Sequence, residues 1–121
     1  SRRLVNKVTS VCLEKDIDHK DIILTGHSLG GAVALILGAL MTRDEIPPTE
    51  IVTFGAPRCG RLKILDGISV TQYRHGKDIV PLVPPLMRRH NDLIRIGNPK
   101  SLIKDHFVIN YVKTKKPKKK S

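Results

Sequence analysis

Hydrophobic residues follow two different spacings along the chain, and each spacing predicts a different element. Within Arg2–Lys15 they recur three and four positions apart, which predicts a helix with one apolar face. That face carries Leu4, Val5, Val8, Val11 and Cys12. Residues 22–26 are apolar at consecutive positions, which is typical of a strand buried on both faces. Residues 29–41 are apolar nearly all round and predict a buried helix.

The rest of the chain continues this alternation of strand and helix. Short apolar runs begin at Ile51, Ile68 and Leu93, and they predict three further strands. Residues 101–112 predict a last short helix, with Leu102, Phe107 and Val108 facing inward. Strands that alternate with helices predict an α/β fold with a mainly parallel sheet and flanking helices.

Positive charge is concentrated at the C-terminal end. The formal net charge is +11, and six of those charges are lysines within the last nine residues. These lysines are Lys113, Lys115, Lys116, Lys118, Lys119 and Lys120. The run predicts a basic, disordered tail over residues 113–121, behind one domain over residues 1–112. A sharper interpretation is contact between the lysines and an anionic membrane surface.

Composition narrows the possible partners and compartments. Two Phe, two Tyr and no Trp argue against aromatic platforms for nucleic acid, so no nucleic-acid partner is expected. Two cysteines do not make a disulfide framework. The sequence shows no signal peptide and no apolar run of the ~20 residues that a membrane span needs, which favours the cytoplasm. Its first residue is Ser1 rather than Met, as in a processed product or a piece of a longer chain.

Gly26-His27-Ser28-Leu29-Gly30 fits the pattern G-x-S-x-G between the predicted strand and the predicted helix. In this pattern glycines allow a sharp turn that exposes the serine, and the pattern predicts that Ser28 is a nucleophile. The backbone N–H of Leu29 then lies at a helix N-terminus, where it can donate to an oxyanion. The alternative is that Ser28 only caps the helix.

A serine nucleophile needs a base, and the base needs an acid that orients it. Asp78 follows a predicted strand and is the best acid, while Asp66 precedes that strand and is weaker; Asp92 and Asp105 also lie downstream. His106, near the C-terminal end, is the best base, and His90 is its rival. The remaining histidines, His19, His27 and His75, are expected to have structural or solvated roles. No zinc-like spacing and no phosphate-loop lysine is present, so no metal or cofactor is expected.

Four segments together resemble the class 3 lipases, the fungal-type lipase family of the α/β-hydrolase fold. They are LTGHSLGGAVA, VTFGAPRCG, YRHGKDIVPLVPP and DHFVINY, in the family's order. The resemblance implies that Ser28 is the nucleophile, Asp78 the acid and His106 the base, and that His90 is not the base. It also implies a carboxylic ester substrate such as an acylglycerol or another small ester.

The chain departs from the family pattern in its length. In the family, the domain has additional residues before the first helix. These residues carry the leading strands, the lid and the second oxyanion donor. The chain therefore resembles the C-terminal portion of the usual domain, or a reduced form of it. Because one oxyanion donor is worth roughly 10²–10³ in turnover, a weak or inactive scaffold protein of the hydrolase fold stays an alternative to a lipase. A binder that acts through the lysine tail is a third class.

Overall fold

A computed structural model describes residues 2–85, 87–99, 106 and 117–120. Helix α1 is Arg2–Lys15 and helix α2 is Leu29–Arg43. The strands are β1 (Ile23–His27), β2 (Glu50–Phe54), β3 (Ser69–His75), β4 (Leu93–Ile96) and β5 (Pro117–Lys120). Three short 3₁₀ turns cover His19–Asp21, Lys63–Leu65 and Val80–Leu82.

The strands form one sheet in the order β1-β2-β3-β4-β5. The first four strands are parallel, and β5 runs antiparallel to β4. Helix α2 connects β1 to β2 and packs on both. The predicted α/β fold with a mainly parallel sheet is therefore confirmed, and the carboxyl ends of β1 to β4 lie at the same edge.

The core lies between α2 and the sheet. Ala34, Leu35, Ile51 and Leu65 form a buried cluster. Gly38 allows α2 to approach β2 closely, because an added Cβ would lie 2.3 Å from Cδ1 of Ile51. Gly38 therefore leaves room for the Ile51 side chain between this helix and the sheet.

Two predictions of burial were wrong. Strand β1 is not buried on both faces: it is at the edge of the sheet in the described part of the chain, and Ile23 is 58% exposed. Helix α2 is not buried all round either, because Leu29, Val33 and Ile36 lie on an exposed stripe. An apolar run shows that an element is hydrophobic. It does not show how many faces of that element are covered by the rest of the protein.

The C-terminal residues also differ from the prediction. Instead of a wholly disordered tail, the structure has Pro117–Lys120 as strand β5, with Arg95 opposite Lys119. The physical reason is that the outer edge of β4 presents unpaired backbone groups, which another strand can satisfy whatever its side chains are. The last predicted helix, residues 101–112, lies outside the described residues except for His106. No helix in the described ranges is long and apolar enough to cross a membrane.

Candidate active site

The carboxyl edge of the parallel sheet brings together Ser28, Asp78 and His106. Ser28 directly follows β1, and Asp78 follows β3 by three residues. Nε2 of His106 lies 2.8 Å from Oγ of Ser28, and Nδ1 lies 2.8 Å from Oδ2 of Asp78. Because a carboxylate only accepts, Nδ1–H donates to Asp78 and leaves Nε2 able to accept the Ser28 hydroxyl hydrogen.

Ser28 has an unusual backbone conformation, with φ 58° and ψ −130°. Few residues other than glycine adopt a positive φ, and such conformations are often found at functional sites. Ser28 occupies the N-cap position of α2, but its side chain makes no capping hydrogen bond. The turn is held by the backbone instead, since Ser28 N–H donates to Phe54 O at 3.0 Å. The alternative of a simple helix cap therefore does not describe this side chain.

Asp78 is completely buried. One carboxylate oxygen faces His106, and the other accepts from the Val80 N–H at 3.0 Å. The main chain at this position is also held, because Asp78 N–H donates to His75 O and Arg74 Nε donates to Asp78 O, at 2.9 and 2.8 Å. The carboxylate is thus fixed in a place where water does not compete for it.

The two glycines of the motif have different roles. A Cβ on Gly26 would lie 2.2 Å from the backbone oxygen of Gly30, so only glycine allows α2 to start this close to β1. Gly30 itself has open space around it and no positive φ. A Cβ on Gly31 would lie 2.6 Å from the Ala56 Cβ. The close approach therefore depends on Gly26 and Gly31 rather than on Gly30.

Replacing Gly26 by alanine is expected to lower the free energy of unfolding by about 3 kcal/mol, because the clashing atom belongs to the backbone and cannot rotate away. Gly30→Ala is the matched control in the same motif. It is expected to leave stability unchanged or raise it by up to about 1 kcal/mol, as alanine favours the helix. Chemical denaturation of both variants measures the difference, and equal losses would contradict this account.

The rival acid Asp66 and the rival base His90 both contact Arg61 rather than Ser28. His90 is buried, and its Nδ1 accepts from the Leu62 N–H at 3.2 Å and from Arg61 at 3.1 Å. Arg61 also pairs with Asp66 at 2.6 Å. Asp92 is exposed, Asp105 lies outside the described residues, and His19 bonds to Pro47 O. The structure thus gives His90 and Asp66 a shared structural contact.

Burial lowers the pKa of His90, and the charge of Arg61 lowers it further. The unfolded chain therefore binds a proton here more readily than the folded chain does below pH ~6.5, so acidification costs stability. We expect the free energy of unfolding to fall between pH ~7 and pH ~5. His90→Asn, whose amide oxygen can still accept, should reduce that fall, as measured by denaturation across this range. Parallel curves for the two proteins would contradict the prediction.

Arg58 joins two loops beside the site. Its N–H donates to Val83 O at 2.7 Å, and its guanidinium donates to Pro85 O and Met87 O at 3.1 and 3.2 Å. The second loop follows Asp78 directly, and it exposes the apolar side chains of Ile79, Val83 and Met87. Because these three side chains are exposed, the segment forms an apolar rim rather than part of the core.

His27 contacts His106 across 79 sequence positions. Its Nε2 lies 2.7 Å from the backbone oxygen of His106, and the two rings stack with centroids 4.8 Å apart. The sequence places His27 in the turn motif, but it carries no signal for this contact. A local pattern does not show which distant backbone group a side chain reaches.

Solved structures that resemble this chain define its class of fold. The chain resembles the crystal structure of Lip2 lipase from Yarrowia lipolytica with a TM-score of 0.63 and 27% identity, over 78% of this chain and 38% of that one. It also resembles the mono- and diacylglycerol lipase from Aspergillus oryzae, with a TM-score of 0.65 over 87% of this chain and 41% of that chain. At 21% identity the second likeness shows the fold alone. The fold is that of an α/β-hydrolase.

The family follows from the sequence. Residues 2–88 match the family model for lipase (class 3), which is more than half of the chain, so the chain belongs to the class 3 lipases. A secreted mono- and diacylglycerol lipase from Fusarium solani is 39% identical over 70 residues, which are 54% of this chain and 21% of the relative. The chain therefore spans about a fifth of that relative. Ser28 and Asp78 lie within the family match, and His106 lies beyond it.

Proposed function

We propose that the chain carries the catalytic residues of a carboxylic ester hydrolase that acts on acylglycerol-type esters. The observation that carries the proposal is the unbroken chain of hydrogen bonds from Ser28 Oγ through both nitrogens of His106 to the buried carboxylate of Asp78. Two contacts of 2.8 Å, in series on one imidazole, are the geometry that general-base activation of a serine requires.

In the proposed first half-reaction, Ser28 Oγ attacks the ester carbonyl carbon while Nε2 of His106 takes the hydroxyl proton. Asp78 holds the imidazole in the required tautomer and stabilises the imidazolium. The carbonyl oxygen becomes an oxyanion, which accepts a hydrogen bond from the backbone N–H of Leu29 at the start of α2. When the tetrahedral intermediate collapses, the alcohol leaves with the proton from His106, and Ser28 remains acylated.

The second half-reaction releases the acid. Water attacks the acyl-enzyme carbonyl while Nε2 of His106 takes one of its protons. The tetrahedral intermediate collapses, Ser28 Oγ recovers the proton from His106, and the carboxylic acid leaves. The same three side chains thus serve both half-reactions. The described residues hold no cluster of His, Cys, Asp or Glu that could bind a metal ion.

The acyl chain is proposed to lie against the apolar rim formed by Ile79, Val83 and Met87. These side chains are each about 40% exposed on the segment that follows Asp78. Removing such apolar area from water by contact with an acyl chain is favourable by roughly 25 cal/mol per Å². Family membership and this rim together support a lipid-like ester over a short polar one. Contact of the C-terminal lysines with an anionic membrane surface stays a prediction.

The test uses a p-nitrophenyl alkylphosphonate on the purified chain. In a serine hydrolase Ser28 Oγ attacks phosphorus, p-nitrophenolate leaves, and a stable phosphonyl-serine remains. We expect release of one equivalent of p-nitrophenolate, an adduct mapped to Ser28 by mass spectrometry, and parallel loss of hydrolysis of p-nitrophenyl esters. The ester series from acetate to palmitate then measures chain-length preference, and we expect the longer chains to be preferred.

Unfolded protein is the control for non-specific reaction, because it contains the same nucleophiles without the His106 contact. An adduct elsewhere, or equal labelling of folded and unfolded protein, would overturn the proposal. Absence of both labelling and hydrolysis would favour the alternative of a catalytically inactive binding protein with the hydrolase fold.

A further inference from the structure

His27 makes two contacts with His106, and they fix different parts of that residue. The imidazole of His27 lies 2.7 Å from the backbone oxygen of His106, and since a carbonyl only accepts, Nε2 of His27 must carry the hydrogen. The two rings also stack, with centroids 4.8 Å apart and an angle of 27° between planes. The hydrogen bond restrains the main chain of His106, while the stack restrains its ring.

His27 is well placed to act as such a restraint. It is the last residue of β1, paired in the sheet with Phe54, and it immediately precedes Ser28. The backbone of the following residue is also fixed, because the Ser28 N–H donates to Phe54 O. One rigid turn therefore carries both the serine and the group that holds the histidine opposite it.

Asp78 alone does not fix the position of the His106 ring. It accepts from Nδ1, and a ring held at one nitrogen can still pivot about that hydrogen bond. A shift of Nε2 by about 1 Å would lengthen the 2.8 Å contact to Ser28, and misplacement of that size can cost about 10²-fold in rate. Fixing the main-chain oxygen and one face of the ring removes this freedom.

We propose that His27 is a positioning residue for the base: it holds His106 at hydrogen-bonding distance from Ser28 through the carbonyl hydrogen bond and the ring stack. This inference rests on the proposed function for the role of His106. His27 acts through His106 and takes no proton from the substrate or from Ser28.

Three variants separate the two contacts. His27→Gln keeps an N–H donor for the carbonyl but no ring, His27→Phe keeps a ring but no donor, and His27→Ala removes both. We expect His27→Ala to lower kcat for p-nitrophenyl esters by about 10²-fold with KM within about twofold of the wild type. His27→Gln should recover kcat to within about tenfold of the wild type, and His27→Phe should stay closer to the alanine variant.

His19→Ala is the matched control. Nδ1 of His19 also lies 2.7 Å from a distant backbone oxygen, that of Pro47, so this variant removes the same kind of hydrogen bond away from Ser28. We expect a similar fall in Tm for His19→Ala and His27→Ala, but a loss of kcat only for the second. Equal kcat in these two variants, or a rise in KM with unchanged kcat for His27→Ala, would overturn the inference.

A second readout does not depend on turnover. The hydrogen-bonded Nδ1 proton of His106 gives a downfield proton NMR resonance, which Asp78→Asn identifies by removing it. We expect the resonance in the wild type and in His27→Gln, and its broadening or loss in His27→Ala. If the wild type hydrolyses no ester and Ser28 is not phosphonylated, the proposed function fails, and this resonance still decides the role of His27. An unchanged resonance in His27→Ala would refute that role.

Discussion

Replacing Ser28 by alanine is expected to lower kcat for ester hydrolysis by about 10⁶-fold, which is the loss seen when a serine hydrolase loses its nucleophile. Alanine has no oxygen with which to form the acyl-enzyme, so only binding and the oxyanion contact remain. The side chain makes no capping hydrogen bond to α2, so the variant should fold as the wild type does. The measurement is kcat by stopped assay with p-nitrophenyl esters, together with Tm.

Ser69→Ala is the control for this variant. Ser69 is an exposed serine that begins β3, at the amino end of the sheet and so at the edge opposite to Ser28. We expect its kcat to equal that of the wild type. If Ser28→Ala kept more than about 1% of the wild-type kcat at unchanged Tm, hydrolysis would have to proceed without Ser28, and the proposed mechanism would be wrong.

Asp78→Asn is expected to lower kcat by about 10⁴-fold while KM changes little. The amide cannot accept the Nδ1–H of His106 when its N–H₂ group faces the ring, so the imidazole turns to the other tautomer and Nε2 no longer accepts from Ser28. The side-chain oxygen can still accept from the Val80 N–H, as the carboxylate does at 3.0 Å. Circular dichroism and Tm should therefore remain close to those of the wild type.

Asp66→Asn is the matched control, since Asp66 was the weaker candidate for the same role. Its carboxylate is exposed and pairs with Arg61, and exposed pairs contribute at most about 1 kcal/mol. We expect kcat within about twofold of the wild type. A larger loss in Asp66→Asn than in Asp78→Asn would move the acid to Asp66 and remove the reason for assigning Asp78.

The features that could be predicted best from the sequence are those formed by residues adjacent in the chain. The β1–turn–α2 unit could be predicted because an apolar run, a serine between two glycines and a second apolar run specify a strand, a sharp turn and a helix. The position of Asp78 at the carboxyl edge of the sheet could be predicted from its place after β3, because parallel strands bring their carboxyl ends to one edge. His106 was selected by its late position in the chain, which is a weaker argument than a spacing.

The features that could not be predicted from the sequence depend on contacts between residues far apart in the chain. The lysine-rich segment Pro117–Lys120 has no strand pattern, and it becomes β5 only because β4 offers it backbone partners. The exposure of Ile23 in β1 depends on what lies beside the strand, which hydrophobicity does not report. The contact of His27 with the His106 carbonyl likewise joins a turn to a backbone atom that no motif specifies.

The Arg58 contacts affect how substrate preference can change. Arg58 binds the loop after Asp78 through three main-chain oxygens, those of Val83, Pro85 and Met87. The path of the loop therefore depends on contacts to its main chain rather than on which side chains it exposes. Under the proposed function, substitutions at positions 83 and 87 are expected to alter which acyl chains fit while the loop keeps its path, so acyl-chain specificity can change there at little cost to folding.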